Sequence, residues 1–188
     1  MKQAVLIVIS GPPAAGKSTI ARRLADCFGM TVIAKDACKE ELYDAEHQPA
    51  GGDRRDLSRR AGADALARAT RHLRRGESVV LDGNWRAGED GAAIGALVQE
   101  LRPRLLQIQC VAAGPLLLER FVARARTGVR HAVHADLEAL PRLRAELLRG
   151  FYEPLPLDGP LLRIDTGTAM ADAAGTGWLP AVAELLQR

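Results

Sequence analysis

Cysteine is scarce in this 188-residue chain, with Cys27, Cys38 and Cys110 its only three. An odd count, at spacings that suit neither a metal knuckle nor a redox pair, excludes a closed disulfide framework and points to a reducing compartment. Long apolar runs are lacking as well, so no segment is expected to cross a bilayer. Lys2 ahead of Ala4 to Ile9 mimics a secretory leader, but the run is shorter than a usual leader core and passes straight into a Gly-Pro loop, so a cytoplasmic protein is expected. There is no internal repeat or low-complexity tract. Aromatic residues make only 4% of the chain, which leaves Trp85 conspicuous. Neither charge is in large excess: 26 Lys and Arg against 23 Asp and Glu give a net +3, which suits a small anionic ligand and makes no case for nucleic acid.

What remains is an ordinary globular composition, 47% hydrophobic and 26% charged, sufficient for one domain spanning residues 1–188 with a sizeable core. The chain is organised around Gly11-Pro12-Pro13-Ala14-Ala15-Gly16-Lys17-Ser18-Thr19, which fits G-x-x-x-x-G-K-[ST] at every fixed position. Ala4 to Ile9 before it reads as a buried parallel strand, and Ser18 to Cys27 after it as a helix closed by Gly29. The two glycines let successive backbone N–H groups turn inward at a helix N-terminus, where the dipole favours an anion. Lys17 can then reach β- and γ-phosphates, and the Ser18 hydroxyl can ligate Mg²⁺.

Further along, strands alternate with helices. Thr31 to Ala34 is a short strand, followed by a helix with Asp36 at its N-cap position. His47 to Asp53 is a loop, and a long helix runs from there to about Arg75 on the stripe Leu57, Ala61, Leu66, Ala69 and Leu73. Its arginines, at positions 54, 55, 59, 60, 68, 71, 74 and 75, read mostly as a solvated face, with one or two available to an anionic substrate. Ser78 to Leu81 is a strand ending at Asp82, Leu105 to Ala112 carries Cys110 inside a fourth, and Leu161 to Ile164 is the fifth. Helices are expected at about 91–101, 116–126, 136–151 and 178–187, with 127–136 a short basic loop. This βαβ pattern implies a parallel sheet with its ligands at the C-terminal strand ends, where the Gly11 loop, Asp36, Asp82, Gly114 and Asp165 all fall.

The chain resembles the small P-loop kinases of the adenylate-kinase-like class, nearest to the type that includes chloramphenicol phosphotransferase, gluconate kinase and the zeta toxins. The resemblance rests on Gly11 to Thr19, on Asp36 after the second strand, on Val79-Val80-Leu81-Asp82, on Glu119-Arg120-Phe121-Val122-Ala123-Arg124 and on Ile164-Asp165-Thr166. It implies a three-layer α/β/α fold whose five-stranded parallel sheet has the order 2-3-1-4-5, a substrate-binding helical region at about 36–75 and a short lid at about 125–136. By the same resemblance Gly11, Pro13, Ala14, Ala15, Gly16, Lys17, Ser18 and Thr19 cradle ATP, with Arg120, Asp165 and Thr166 on the adenine side. Ser18 and Asp82 hold Mg²⁺. Asp36 acts as general base on the substrate hydroxyl, and Arg124 with Arg126 or Arg130 reaches the transferring phosphate.

Three further readings follow from the residues themselves. His131 and His134, in a loop with no third ligand, read as surface residues rather than a metal pair. Trp85 and Arg86 stand either where an acceptor packs or in a core or hinge, and Cys38 reads as a small buried hydrophobe. The expected function is transfer of phosphate from ATP to a hydroxyl of a small metabolite or antibiotic-like natural product. The alternatives are a polynucleotide 5′-kinase, for which the arginine-rich helix would be the binding face, and a nucleotide-gated regulatory ATPase.

Overall fold

Val5–Ser10 forms β1, and its alternate side chains serve opposite faces, Leu6 and Val8 one core and Ile7 and Ile9 the other. Such a strand needs helices on both sides, and it has them. The computed structural model describes residues 3–46, 54–168 and 176–187. Beside β1 stand β2 (Thr31–Ala34), β3 (Val79–Asp82), β4 (Arg104–Val111) and β5 (Leu161–Asp165), all parallel and in the order β2-β3-β1-β4-β5. This is the three-layer α/β/α arrangement expected. The loop expected at His47 to Asp53 lies outside the described residues.

The helices are α1 (Lys17–Phe28), α2 (Lys35–Ala45), α3 (Arg54–Arg74), α4 (Ala87–Leu101), α5 (Gly114–Arg126), α6 (Asp136–Arg149) and α7 (Leu179–Leu185), with a 3₁₀ turn at Ala132–His134. One core joins the sheet to Ile20 and Leu24 of α1, Leu117 and Phe121 of α5, Leu147 of α6 and Val182 of α7. The opposite core takes Cys38 of α2, Ala61, Ala65, Ala69 and Leu73 of α3, and Ile94 and Leu97 of α4. Along α3 it is Ala65 that is fully buried, while Leu66 packs only partly against that core.

Several boundaries differ from expectation. Asp36 is not an N-cap: α2 begins two residues earlier, with extended Ala34 as cap and Asp36 inside the first turn. The fourth helix starts at Ala87 rather than near Gly91, because Asp90 folds back so that its Oδ2 accepts from the Arg86 N–H at 2.8 Å. The sixth ends at Arg149, where Gly150 takes the left-handed conformation.

Candidate active site

The phosphate loop requires its glycines. Gly11 has φ +146°, and a Cβ there would lie 2.4 Å from the Cys110 carbonyl oxygen of β4; Gly16 has φ +74° at the entrance to α1. Ala14 also takes positive φ, +62°, so the loop holds a conformation that non-glycine residues rarely adopt. Lys17 Nζ lies over this loop, donating to the Pro12 carbonyl at 2.7 Å. Burial lowers the lysine pKa against the opposing pull of Asp82, Cys110 and Asp36, so its charge gains from an anionic ligand.

Asp82 ends β3 beside this loop, only 4% exposed. Burial raises its carboxyl pKa, opposed by Lys17 and by a hydrogen bond with the Ser18 side chain, and its Oδ1 is buried with no hydrogen-bond partner. An orphaned carboxylate oxygen next to a hydroxyl is a donor set for a hard cation such as Mg²⁺.

Asp36 enters from the other side of the loop, on the first turn of α2. Half of its side chain is exposed (52%). Burial of the carboxyl raises its pKa, but Arg130, His134, Lys17 and Lys39 together outweigh this and hold it below the usual aspartate value. Arg130 binds Asp36 directly with one guanidinium nitrogen and Asp136 Oδ1 at 2.9 Å with the other. Arg124 faces the same Asp136 at 3.2 Å, and its Nε is buried without a partner. Burial, with Arg130 next in weight, lowers the Arg124 pKa. Lys17, Asp36, Asp82, Arg124 and Arg130 thus form one electrostatic cluster.

Arg120 stands apart from this cluster, donating to the Thr166 hydroxyl at 3.3 Å and its carbonyl at 3.2 Å. Thr166 is fully buried, whereas Asp165 is exposed and its Oδ1 accepts from the Gly167 N–H at 2.8 Å. Arg126, on the last turn of α5, is exposed and outside the cluster. Between the two open arginines, the contact with Asp36 is made by Arg130.

The histidines differ from their sequence reading. His134 Nε2 is 2.6 Å from Glu40 with its side chain only 6% exposed, and His131 Nε2 is 3.0 Å from Asp44. Asp36, Glu40 and Asp44 recur every fourth residue along α2, so one face of that helix takes Arg130, His134 and His131 in turn. Trp85 is fully buried, which favours its core reading, and Arg86 is tied to Glu146 at 2.7 Å and to the Tyr152 hydroxyl at 3.0 Å. Sequence reasoning passed over Lys35. Its ammonium is 3.1 Å from Asp90 Oδ1 and 4.6 Å from the Trp85 ring centre, which fixes the start of α2 and hence Asp36. Its one signal was adjacency to Asp36.

A phosphate loop between the central strand and its helix, with a strand-end carboxylate beside the loop serine and a second carboxylate near the lysine, is the arrangement of the P-loop NTPase fold that the small P-loop kinases share. The chain belongs to the AAA_33 family, described as an AAA domain, whose model matches residues 6–149. A provisionally assigned kinase from Chloroflexus aurantiacus j-10-fl is 30% identical and superposes with TM-score 0.84 over 98% of this chain and 99% of its own. The APS kinase CysC of Mycobacterium tuberculosis, solved with AMPPNP and APS, shares the fold at 17% identity, TM-score 0.63 and full coverage of both chains. An uncharacterized protein of M. tuberculosis H37Rv is 32% identical over 128 residues, 64% of this chain. The chain spans only 26% of that relative's length.

Proposed function

We propose that the chain is an ATP-dependent kinase that transfers the γ-phosphoryl group to a hydroxyl of a small molecule. The observation that carries this reading is the convergence on Lys17 of two carboxylates whose pKa values are shifted in opposite directions: Asp82, raised by burial, and Asp36, lowered by its cationic neighbours against its own burial. In phosphoryl transfer the protein chiefly positions reactants and offsets charge. The loop N–H groups and Lys17 hold the β- and γ-phosphates, with Arg120 and Thr166 on the nucleoside side. Asp36 accepts the proton of the attacking hydroxyl as the acceptor oxygen bonds to Pγ and the bond from Pγ to the β,γ-bridging oxygen breaks, leaving ADP. Ser18 and Asp82 would hold Mg²⁺, which when bound supplies positive charge at the phosphates. Helices α2 and α3 form the acceptor side, and the segment 125–136 acts as a lid. Arg130 turns from Asp36 to the γ-phosphate when the nucleotide supplies the stronger negative charge, while Arg124 adds a second cation.

The polynucleotide alternative loses its support on α3. Of the seven arginines there, those at 54, 59, 60, 68 and 74 are paired with Glu138, Asp56, Glu46, Glu41 and Glu100 respectively, which leaves little free charge for a phosphodiester backbone. Transfer from labelled ATP into a panel of hydroxyl compounds, with wild type beside Asp36→Asn, tests the proposal. Transfer that collapses about 10²–10⁴-fold in the variant supports it. ATP binding without transfer into any compound of the panel, kept in Asp36→Asn and lost in Lys17→Ala, would favour a nucleotide-gated regulator instead.

A further inference from the structure

The acceptor side of Asp36 gathers positive charge that neither the nucleotide nor the protein's carboxylates account for. Lys39 lies one turn beyond Asp36 on α2, so the two side chains share a face about 5–6 Å apart at Cβ. It is half-buried. Arg130, bound at once to Asp36 and Asp136, brings the first turns of α2 and α6 within the span of one guanidinium. Arg54, at the start of α3, joins them by donating to Glu138 of α6 at 2.6 Å, and Arg142 lies one turn beyond Glu138 on the same face. Burial is the largest influence lowering the Lys39 pKa; Asp36 opposes it, and Arg130, Arg142 and Arg54 in turn add to the lowering. Glu138 is 72% exposed and pairs with Arg54, whereas among the described residues neither Lys39 nor Arg142 has a carboxylate within ion-pair distance. Lys39 is half-buried and Arg142 exposed, and with Asp36 and Asp136 engaged by Arg130 and Glu138 by Arg54, these two cations are left to be stabilised by an incoming anion.

We infer that the phosphoryl acceptor is itself anionic, a hydroxy compound bearing a carboxylate, phosphate or sulfate about one helical turn from the hydroxyl that meets Asp36, with Lys39 and Arg142, flanked by Arg54, as the subsite for that group. This rests on the kinase reading for the position of the hydroxyl. The subsite favours planar or tetrahedral oxyanions, which a guanidinium can bind through two parallel N–H bonds. It disfavours a cationic acceptor such as an amino sugar, which would meet Lys39 as a like charge.

The test saturates the phosphate loop with Mg²⁺ and AMP-PNP, then titrates D-glycerate, glycerol 3-phosphate, glycerol and glucosamine by calorimetry. The two anions are expected to bind at least about tenfold more tightly than glycerol. Lys39→Gln and Arg142→Gln should each cost about tenfold, and Lys39→Arg should restore most of the loss, with AMP-PNP binding serving as the check on folding. Equal binding of all four probes, no binding of either anion, or indifference to both glutamine substitutions overturns the inference. Transfer assays on the same panel separate the two claims. Phosphorylation of a neutral or cationic compound without dependence on Lys39 leaves the kinase reading intact and removes the anion subsite. Anion binding that depends on Lys39, without transfer to any hydroxyl, keeps the subsite and removes the kinase reading.

Discussion

At Asp36 two opposing influences meet. Burial raises the carboxyl pKa, while Arg130 first, then His134, Lys17 and Lys39, lower it, and the cations win. Because the folded value lies below the unfolded one, the stabilisation this gives is present above the unfolded pKa and fades as pH falls through the folded value. The acid limb of kcat/KM is therefore expected below the ordinary aspartate range, and Arg130→Gln should move it upward while lowering kcat by about 10²-fold. A pH–rate profile of the two proteins checks both effects, and an unmoved limb would show that Arg130 does not govern Asp36. Gly11 permits an equally local prediction. Its added Cβ would meet a backbone carbonyl, not a flexible side chain that can give way, so Gly11→Ala should abolish nucleotide binding or folding, as read by calorimetry and circular dichroism.

At the scale of elements, α2 and the segment that ends in the 3₁₀ turn are fastened by His134–Glu40, His131–Asp44 and Arg130–Asp36. Burial, the largest influence on His134, lowers its pKa, with Arg130 acting in the same direction and Asp36 and Glu40 against. The fold thus holds fewer protons at this ring than the unfolded chain does. Stability present above the unfolded histidine value of about 6.5 is lost as pH falls below it toward the folded value. Urea midpoints should decline between about pH 6.5 and pH 5 in the wild type and decline less in His134→Gln; equal slopes would remove His134 from the account. On the opposite face of the sheet, Phe121 is 1% exposed between α5 and the strands, and Phe121→Ala should cost about 3–5 kcal/mol of unfolding free energy in urea titration.

For the molecule as a whole, a net charge of +3 and an α3 whose arginines are largely paired should make affinity for single-stranded oligonucleotides weak. A steep fall of tight binding between low and moderate salt would revive the polynucleotide reading. The phosphate loop, its strand and its helix were legible in the sequence because they are local: two glycines, a lysine and a serine at fixed spacing within nine residues leave the backbone little choice. The parallel sheet was legible because apolar strands and amphipathic helices alternate in a way few topologies satisfy. The charge network around Asp36 was not, because its partners are far apart in the chain. Arg130 lies 94 residues from Asp36, His134 as far from Glu40, and Asp90 is 55 from Lys35. Composition gives such side chains no preferred partner until the sheet order sets which helix ends face one another. The sequence by itself therefore determined the phosphate loop and the order of the layers, whereas only the tertiary structure decided which carboxylate meets which cation, since electrostatic pairing depends on distances that exist only after the chain has closed.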